Sequence, residues 1–166
     1  MDRVILHCDL NNFYASVETI LHPEYKGKPI AVCGDPKKRH GIVLAKSQPA
    51  KIMGVKTGDP VWQAQQKCPD ITIVPPTFRE YVKYRDIVFK IYTEYTDRVE
   101  HFGMDECWLD VTGSVGLFGD GKKIADTIRK RVYDETGLTI SVGVSWTKSF
   151  AKLGSDIKKP DATTVI

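Results

Sequence analysis

The stretch VEHFGMDECWLDV, residues 99–111, decides the fold, because two strand-like halves enclose the acidic tetrad Gly103-Met104-Asp105-Glu106. Short strand-like runs flank the tetrad on both sides, and Gly103 suits a tight turn. This pattern predicts a β-hairpin with Asp105 and Glu106 at or near its tip. The two strands are predicted at Val99 to Phe102 and Cys107 to Val111.

A third carboxylate, Asp9, directly follows the apolar run Val4 to Cys8 and is the last residue of the first predicted strand. A helix beginning near Phe13 follows this strand. If that strand lies beside the hairpin, Asp9 approaches Asp105 and Glu106. Carboxylates that close repel one another unless cations neutralise them, and Mg²⁺ prefers such hard oxygen ligands. The arrangement predicts a divalent-metal site. Spacing alone leaves open a helix-capping role for Asp9 and ordinary turn chemistry for Asp105 and Glu106.

The predicted fold class is α+β, and it follows from setting aside a Gly- and Pro-punctuated lobe over residues 22–75. The remainder is strand, helix, hairpin, helix, strand, which is a ferredoxin-like split β-α-β sheet with helices on one face. The excluded residues form an inserted small α/β lobe. The other predicted helices and strands are Phe13 to Leu21, Ile30 to Cys33, Ile42 to Ala45, Ile71 to Val74, Tyr81 to Tyr95, Ile124 to Val132, Thr139 to Val144, Lys148 to Lys159 and Thr163 to Ile166, with two short helices around Ala50 and Gln63.

Composition sets broader bounds on the protein. A chain of 166 residues with 42% hydrophobic residues can bury a core, and its formal net charge of +3 does not by itself imply a nucleic-acid partner. The basic runs at residues 37–40 and 148–159 are, each taken alone, typical of solvated surface. No run of eighteen apolar residues and no signal-peptide pattern occurs, so neither membrane spanning nor secretion is expected. The cysteines show no C-x-x-C spacing and predict a reducing compartment; they are Cys8, Cys33, Cys68 and Cys107.

Four motifs, in the same order, resemble the Y-family translesion DNA polymerases of the bacterial polymerase IV or V type. By this resemblance residues 1–21 and 76–166 are the palm, which is the catalytic subdomain, and residues 22–75 are the fingers. The motifs are Cys8 to Glu18, Gly27 to Val32, Met104-Asp105-Glu106 with Leu109-Asp110, and Phe150-Ala151-Lys152 with Ser155-Asp156 and Lys159-Pro160.

The resemblance also implies roles for individual residues. Two Mg²⁺ ions, with Mn²⁺ as a possible substitute, are expected at the catalytic carboxylates Asp9, Asp105 and Glu106, with the Leu10 carbonyl as a further ligand. Tyr14 occupies the steric-gate position, where an aromatic ring leaves no room for a ribose 2′-hydroxyl. Without the motif, Tyr14 would more simply be a core residue of its helix.

Other positions are expected to contact nucleotide or DNA. Phe13 packs near the same pocket as Tyr14, and Lys159 matches a lysine that contacts the incoming triphosphate. Gln48 and Lys51 stand where the family typically has a Tyr and an Arg that hold the triphosphate, so the grip on nucleotide is expected to be altered. Lys148 and Lys152 are weaker candidates for contacts with DNA phosphate, and Lys152 also suits a solvated helix face.

The function implied is template-directed, damage-tolerant DNA synthesis, with transfer from a dNTP to a primer 3′-hydroxyl. Primer-template DNA, dNTP and a sliding clamp, the last through regions outside this chain, are the expected partners, in the bacterial cytoplasm and at the nucleoid during action. The thumb and little-finger domains are absent, so the chain is expected to be a palm-and-fingers fragment. Two alternatives stay open. One is a catalytically silent, polymerase-like repair module, and the other is a palm-fold nucleotidyl cyclase, against which the fingers lobe and Lys159-Pro160 stand.

Overall fold

The structure, a computed structural model, describes residues 2–35, 37 and 41–166, and these residues form two compact units. The first unit comprises the residues up to Asn11 together with Val82–Ile166, and the second is Asn12–Tyr81. The division of the chain into palm and fingers at residues 21 and 75 stays a prediction. Of the basic run at residues 37–40, Lys38, Arg39 and His40 lie outside the described residues.

Strands and helices follow the predicted order along the chain. The strands are β1 (Ile5–Leu10), β2 (Ile30–Cys33), β3 (Val43–Lys46), β4 (Thr72–Val74), β5 (Val99–Phe102), β6 (Glu106–Asp110), β7 (Ile140–Ser145) and β8 (Thr163–Val165). The helices are α1 (Phe13–Leu21), α2 (Gln48–Ile52), α3 (Val61–Lys67), α4 (Phe78–Thr93), α5 (Val115–Phe118), α6 (Gly121–Thr136) and α7 (Lys148–Ile157). The predicted mixed α and β architecture is confirmed.

The first unit contains a five-stranded sheet in the order β5-β6-β1-β7-β8. The central strand β1 is antiparallel to both β6 and β7, and β8 runs parallel to β7. β1 extends one residue beyond Asp9, the predicted last residue of this strand, because Leu10 as well as Asp9 pairs with β7, Leu10 with Ile140 and Asp9 with Ser141. Asp9 therefore lies inside a strand and not at its end.

Helices cover both faces of this sheet, which differs from the prediction of helices on one face. On α6, a side-chain carbon added at Gly121 would meet Val144 at 2.7 Å. On β7, a carbon added at Gly143 would meet the Ala151 carbonyl of α7 at 1.8 Å. Because neighbouring residues of a strand point to opposite faces, α6 and α7 lie on opposite sides of the sheet.

The second unit has a three-stranded sheet in the order β3-β2-β4, with β2 antiparallel to β3 and parallel to β4. α1 belongs to this unit and packs on β2 and β3. Mostly small and β-branched side chains make up one buried cluster of this unit. Its buried members are Ala31, Cys33, Val43, Ala50, Val55, Ala64, Cys68 and Ile71.

Aromatic and cysteine side chains contribute to the buried core. Tyr81, Tyr92 and Tyr95, which lie on α4 or just after it, are buried. The four cysteines are buried free thiols, and burial raises the pKa of Cys33 to about 11 and of Cys107 to about 12. Among the residues described, no helix combines the length and apolar character that crossing a membrane requires.

Candidate active site

The three predicted carboxylates meet where β1 lies beside the β5-β6 hairpin. Asp9 of β1 is the direct cross-strand partner of Glu106, the first residue of β6. Asp105 precedes it in the turn, and its carbonyl oxygen accepts a hydrogen bond from the Leu10 N–H at 3.0 Å. Backbone pairing thus joins the two acidic segments, which are about 96 positions apart in the chain.

Burial and the charges of neighbouring acids raise the pKa of two of these carboxyl groups, those of Asp105 and Asp9. The pKa of Asp105 is raised to about 6, chiefly by burial and then by the charges of Asp9 and Glu106. Burial likewise raises the pKa of Asp9, Glu106 adds to the rise, and the neighbouring Lys159 opposes it. A site that holds acidic groups against their own repulsion is where a cation is expected to bind.

Two lysines from the α7 segment supply positive charge to these carboxylates. Lys159 pairs with Asp9 and, at 2.8 Å, with Asp156. Burial alone would lower the pKa of Lys159, but its hydrogen bonds to Asp156 and Asp9 outweigh burial and raise it. Lys152 donates to both carboxylate oxygens of Glu106 at 2.8 Å. Lysine ammonium groups are therefore the counter-charges of two of the three carboxylates.

The donor set suits a hard divalent cation, although the side chains are not gathered around one. Within the described ranges, no three His, Cys, Asp or Glu side chains form a group that could hold a metal as they stand. The chemistry of the donors nevertheless fits Mg²⁺, since three carboxylates and a backbone carbonyl are all oxygen ligands. The pKa of Asp105 is raised chiefly by burial and then by the charges of Asp9 and Glu106, and a bound cation would oppose that rise.

His7 is a neighbour of the site that the sequence analysis missed. It lies two residues before Asp9 on the same face of β1, is fully buried, and has its Nδ1 at 2.7 Å from the Ser155 hydroxyl. Its Nε2 is 3.8 Å from Glu106 and has no hydrogen-bond partner. Burial, and then the charge of Lys152, lower the pKa of His7 to about 4, so the ring is neutral near pH 7. The period of two along β1 was the signal that could have revealed it.

Asn11 is a second residue that the sequence analysis passed over. Its side-chain oxygen accepts hydrogen bonds from the Thr139 hydroxyl at 3.0 Å and the Asp161 N–H at 2.9 Å. Its amide nitrogen donates to the Ser141 hydroxyl at 2.9 Å. A buried amide with these partners ties the segment after α7, which carries Lys159, to the end of β1.

The remaining cationic candidates in the first unit are paired with acids. Lys148 lies 2.5 Å from Glu100 and 4.4 Å from the centre of the Trp108 ring. Lys152, besides binding Glu106, lies 5.4 Å from the centre of the Phe102 ring. Contacts of either lysine with DNA phosphate stay predictions.

The other predicted nucleotide contacts belong to the second unit. Tyr14 is half-buried on α1 and stacks on Tyr81, with ring centres 4.3 Å apart and planes 13° apart. Phe13 is buried and lies 5.5 Å from the Tyr14 ring. Gln48 opens α2 and accepts a hydrogen bond from Asn12 at 3.4 Å, while Lys51 is exposed. The nucleotide roles of these residues stay predictions.

Comparison with known proteins identifies the family. The model of the impB/mucB/samB family (IMS) matches residues 8–156. The chain belongs to this family. A "DNA polymerase IV" of Acetivibrio thermocellus is 61% identical over 166 residues, all of this chain and 42% of that protein. A "DNA polymerase IV" of Ralstonia nicotianae is 43% identical over 164 residues, 99% of this chain and 46% of that protein. The chain thus spans less than half the length of these impB/mucB/samB relatives.

Solved structures agree with the family and with the predicted resemblance. The Y-family DNA polymerase chimera Dbh-Dpo4(243-245)-Dbh superposes on 98% of this chain and 48% of its own, with a TM-score of 0.92 and 33% identity. DinB from Sulfolobus solfataricus superposes over the same shares with a TM-score of 0.92 and 32% identity. The resemblance of this impB/mucB/samB chain to the Y-family polymerases, and the fold class it implied, are confirmed.

Proposed function

We propose that this chain carries the catalytic residues of a template-directed, damage-tolerant DNA polymerase, with residues 1–21 and 76–166 as palm and 22–75 as fingers. The observation that carries the proposal is the pairing of Asp9 with Glu106 beside Asp105. These three residues come from two separate family motifs. The polymerase relatives supply the reaction class, since their names describe DNA synthesis.

Asp9, Asp105, Glu106 and the Leu10 carbonyl would hold two Mg²⁺ ions, with Mn²⁺ as a substitute. When bound, such ions lower the pKa of an attacking hydroxyl and neutralise charge on the transferred phosphoryl group and the leaving pyrophosphate. The carboxylates supply position and negative charge. They form no covalent bond with the substrate.

The lysines and the aromatic ring act on the incoming nucleotide. Lys159, now paired with Asp9 and Asp156, is a mobile point charge that can turn to a triphosphate. Tyr14 excludes the ribose 2′-hydroxyl by the position of its ring. Gln48 and Lys51 contribute one hydrogen bond and one charge where the family typically has a phenol and a guanidinium, so triphosphate is held less rigidly.

Partners and location follow from the same reaction. The protein acts on primer-template DNA and dNTP, with a sliding clamp bound through segments outside this chain, in the bacterial cytoplasm and at the nucleoid. A related Dbh DNA polymerase is known in an "insertion ternary complex". Damage tolerance rests on the family resemblance alone.

A catalytically silent polymerase-like module is the second candidate function. Lys159 and Lys152 already neutralise Asp9 and Glu106, and this observation favours a site that needs no metal. Such a module would bind no nucleotide in a metal-dependent way. The presence of all three carboxylates, Asp9 and Glu106 on paired strands and Asp105 in the adjoining turn, favours the polymerase.

Primer extension by the full-length gene product tests the proposal. With Mg²⁺ and dNTP, extension of a primer on an undamaged template and on a template with an abasic site is expected. Asp105→Asn and Glu106→Gln should each lower the rate on the order of 100-fold or more, because charge stabilisation in the transition state is lost. Asp134→Asn, at an exposed and lysine-paired position of α6, is the matched control and should retain full activity. Extension at equal rates by all four proteins would refute the assignment of the site.

A further inference from the structure

Two residues of α1 that face the same way, Tyr14 and Glu18, are one helical turn apart. Tyr14 is half-buried, whereas Glu18 is 1% exposed. A carboxyl group buried to this extent must have a hydrogen-bond donor, and a residue kept there at such a desolvation penalty usually orients something else. The buried carboxyl group therefore implies a role for Glu18 in addition to the role of Tyr14.

Tyr81, the last residue of the second unit, links these two side chains. Its hydroxyl donates to Glu18 Oε1 at 2.5 Å, and its ring stacks on Tyr14 with centres 4.3 Å apart. Tyr81 is fully buried, and burial together with the bond to Glu18 raises its pKa well above the usual value. The phenol therefore stays protonated and remains a donor to Glu18.

The Phe78 ring lies beside the stack of Tyr14 and Tyr81. Phe78 meets both Tyr14 and Tyr81 edge-on, with ring centres 5.7 Å away in each case. Stacked rings alone tolerate sliding, because offset geometries are close in energy. The hydroxyl of Tyr81 cannot slide without breaking its bond to Glu18. The hydrogen bond from Tyr81 to Glu18 thus fixes the Tyr81 ring and, through the stack, the position of the Tyr14 ring.

We propose that Glu18 is a positioning residue that fixes the Tyr14 ring through Tyr81, and so sets how strictly the site rejects ribonucleotides. The inference rests on the proposed function of Tyr14 as the steric gate. Exclusion of a hydroxyl group depends on the position of the blocking ring, and misplacement by about 1 Å can change rates about 100-fold. Glu18 itself touches no substrate in this account.

Four variants separate positioning from mere stability. Tyr81→Phe removes only the hydroxyl, whereas Glu18→Leu removes the acceptor together with the contact between Glu18 and His22 at 3.9 Å. Glu18→Gln keeps an oxygen that accepts from the phenol and is the conservative rescue. Tyr84→Phe deletes a phenol hydroxyl elsewhere on α4 and is the matched control. Tyr14→Ala sets the scale for complete loss of the gate.

The first readout is the ratio of kcat/KM for a dNTP to that for the matching rNTP, measured on the full-length gene product. Tyr81→Phe and Glu18→Leu should each lower the ratio about tenfold, through a lower KM for the rNTP with kcat for the dNTP retained. The double variant should match the single variants, because both break one bond. Glu18→Gln and Tyr84→Phe should keep the wild-type ratio. A wild-type ratio in Tyr81→Phe and Glu18→Leu, with Tyr14→Ala changed, would overturn the proposal.

The second readout needs no catalysis. In protein labelled with 3-fluorotyrosine, the ¹⁹F signal of Tyr14, assigned from Tyr14→Phe, should shift and narrow in Tyr81→Phe and Glu18→Leu as the ring gains freedom. It should stay unchanged in Tyr84→Phe. An unchanged Tyr14 signal in Tyr81→Phe and Glu18→Leu would refute the positioning role. If the wild-type protein extends no primer but the signal moves as expected, the polymerase function fails and the positioning of Tyr14 stands.

Discussion

The surroundings of Asp105 disfavour the charged form of its carboxyl group. Burial and the neighbouring acids Asp9 and Glu106 raise its pKa to about 6. An acid whose folded pKa is raised stabilises the protein while protonated, and this contribution is lost as pH rises through the folded value. Asp105 therefore destabilises the metal-free protein at pH 7, which is consistent with the cation-binding role proposed for it.

Asp105→Asn should make the metal-free protein more stable at neutral pH. With a chelator present, the free energy of unfolding at pH 7.5 should rise by about 2 kcal/mol, a value reduced from the full pKa shift to allow for partial exposure. The gain should shrink as pH falls from 6 and vanish near pH 4, where wild-type Asp105 is also neutral. Denaturant titrations at several pH values measure it.

Asp134→Asn, an exposed position on α6, provides the control for the change in net charge. If Asp105→Asn and Asp134→Asn show the same pH dependence, the electrostatic account of the site is wrong.

Sequence patterns located the acidic residues but not their counter-ions. Strand-like runs and turn chemistry, which are local properties of the sequence, predicted β1 and the hairpin, and their adjacency in a split β-α-β sheet predicted that Asp9 would approach Asp105 and Glu106. The hydrogen bonds from Lys152 to Glu106 depend on the position of α7 relative to the sheet, and no short-range sequence pattern determines that position. The same holds for the burial of His7 against Ser155, and for the ring of Tyr14 on Tyr81.

At the scale of helices and strands, α7 packs in an unusual way. Its buried side consists of the small residues Ala151, Gly154 and Ser155, while larger apolar side chains face outward. The hydrophobic pattern alone predicts that the larger apolar side chains of α7 face the sheet. Close approach to β7 decides the orientation, since Gly143 leaves room for the α7 backbone. The exposed apolar residues of α7 are Phe150, Leu153 and Ile157.

Gly143→Ala should therefore destabilise the first unit strongly. The added methyl carbon would lie 1.8 Å from the Ala151 carbonyl oxygen and 2.5 Å from the Ser155 nitrogen, both of them backbone atoms. Such overlap requires α7 to move, at an expected loss of at least about 3 kcal/mol in the free energy of unfolding.

Gly116→Ala is the matched control, because an added carbon at this α5 position meets nothing within 4 Å. Chemical denaturation of the two variants compares them directly. Equal stabilities would show that α7 does not depend on this close contact.

At the scale of the whole molecule, the order of helices and strands was predictable, whereas their placement was less so. Two periodicities and Gly and Pro punctuation predicted the split β-α-β sheet and the strands of the inserted lobe, and structures of Y-family polymerases match the fold with a TM-score of 0.92. The helices of the split β-α-β sheet were predicted on one face, yet α6 and α7 lie on opposite faces. Helix order along a chain does not determine the face that each helix covers.

The matched relatives are more than twice as long as this chain, which covers 42% of the Acetivibrio thermocellus protein. Phosphate contacts dominate affinity for DNA, and here Lys148 and Lys152 are paired with acids. Affinity for primer-template DNA is therefore expected to depend on segments outside this chain. Under the proposed function, binding of nucleotide is expected to depend on residues within it.

Binding of a dNTP in the presence and absence of Mg²⁺, followed by isothermal titration calorimetry on the full-length gene product, tests the central claim most directly. Wild-type protein and the Asp134→Asn control should bind only with Mg²⁺, and the double variant Asp105→Ala, Glu106→Ala should lose that binding. Equal Mg²⁺-dependent binding by the double variant, or binding that does not need Mg²⁺, would contradict the assignment of Asp9, Asp105 and Glu106 as the site of metal and nucleotide.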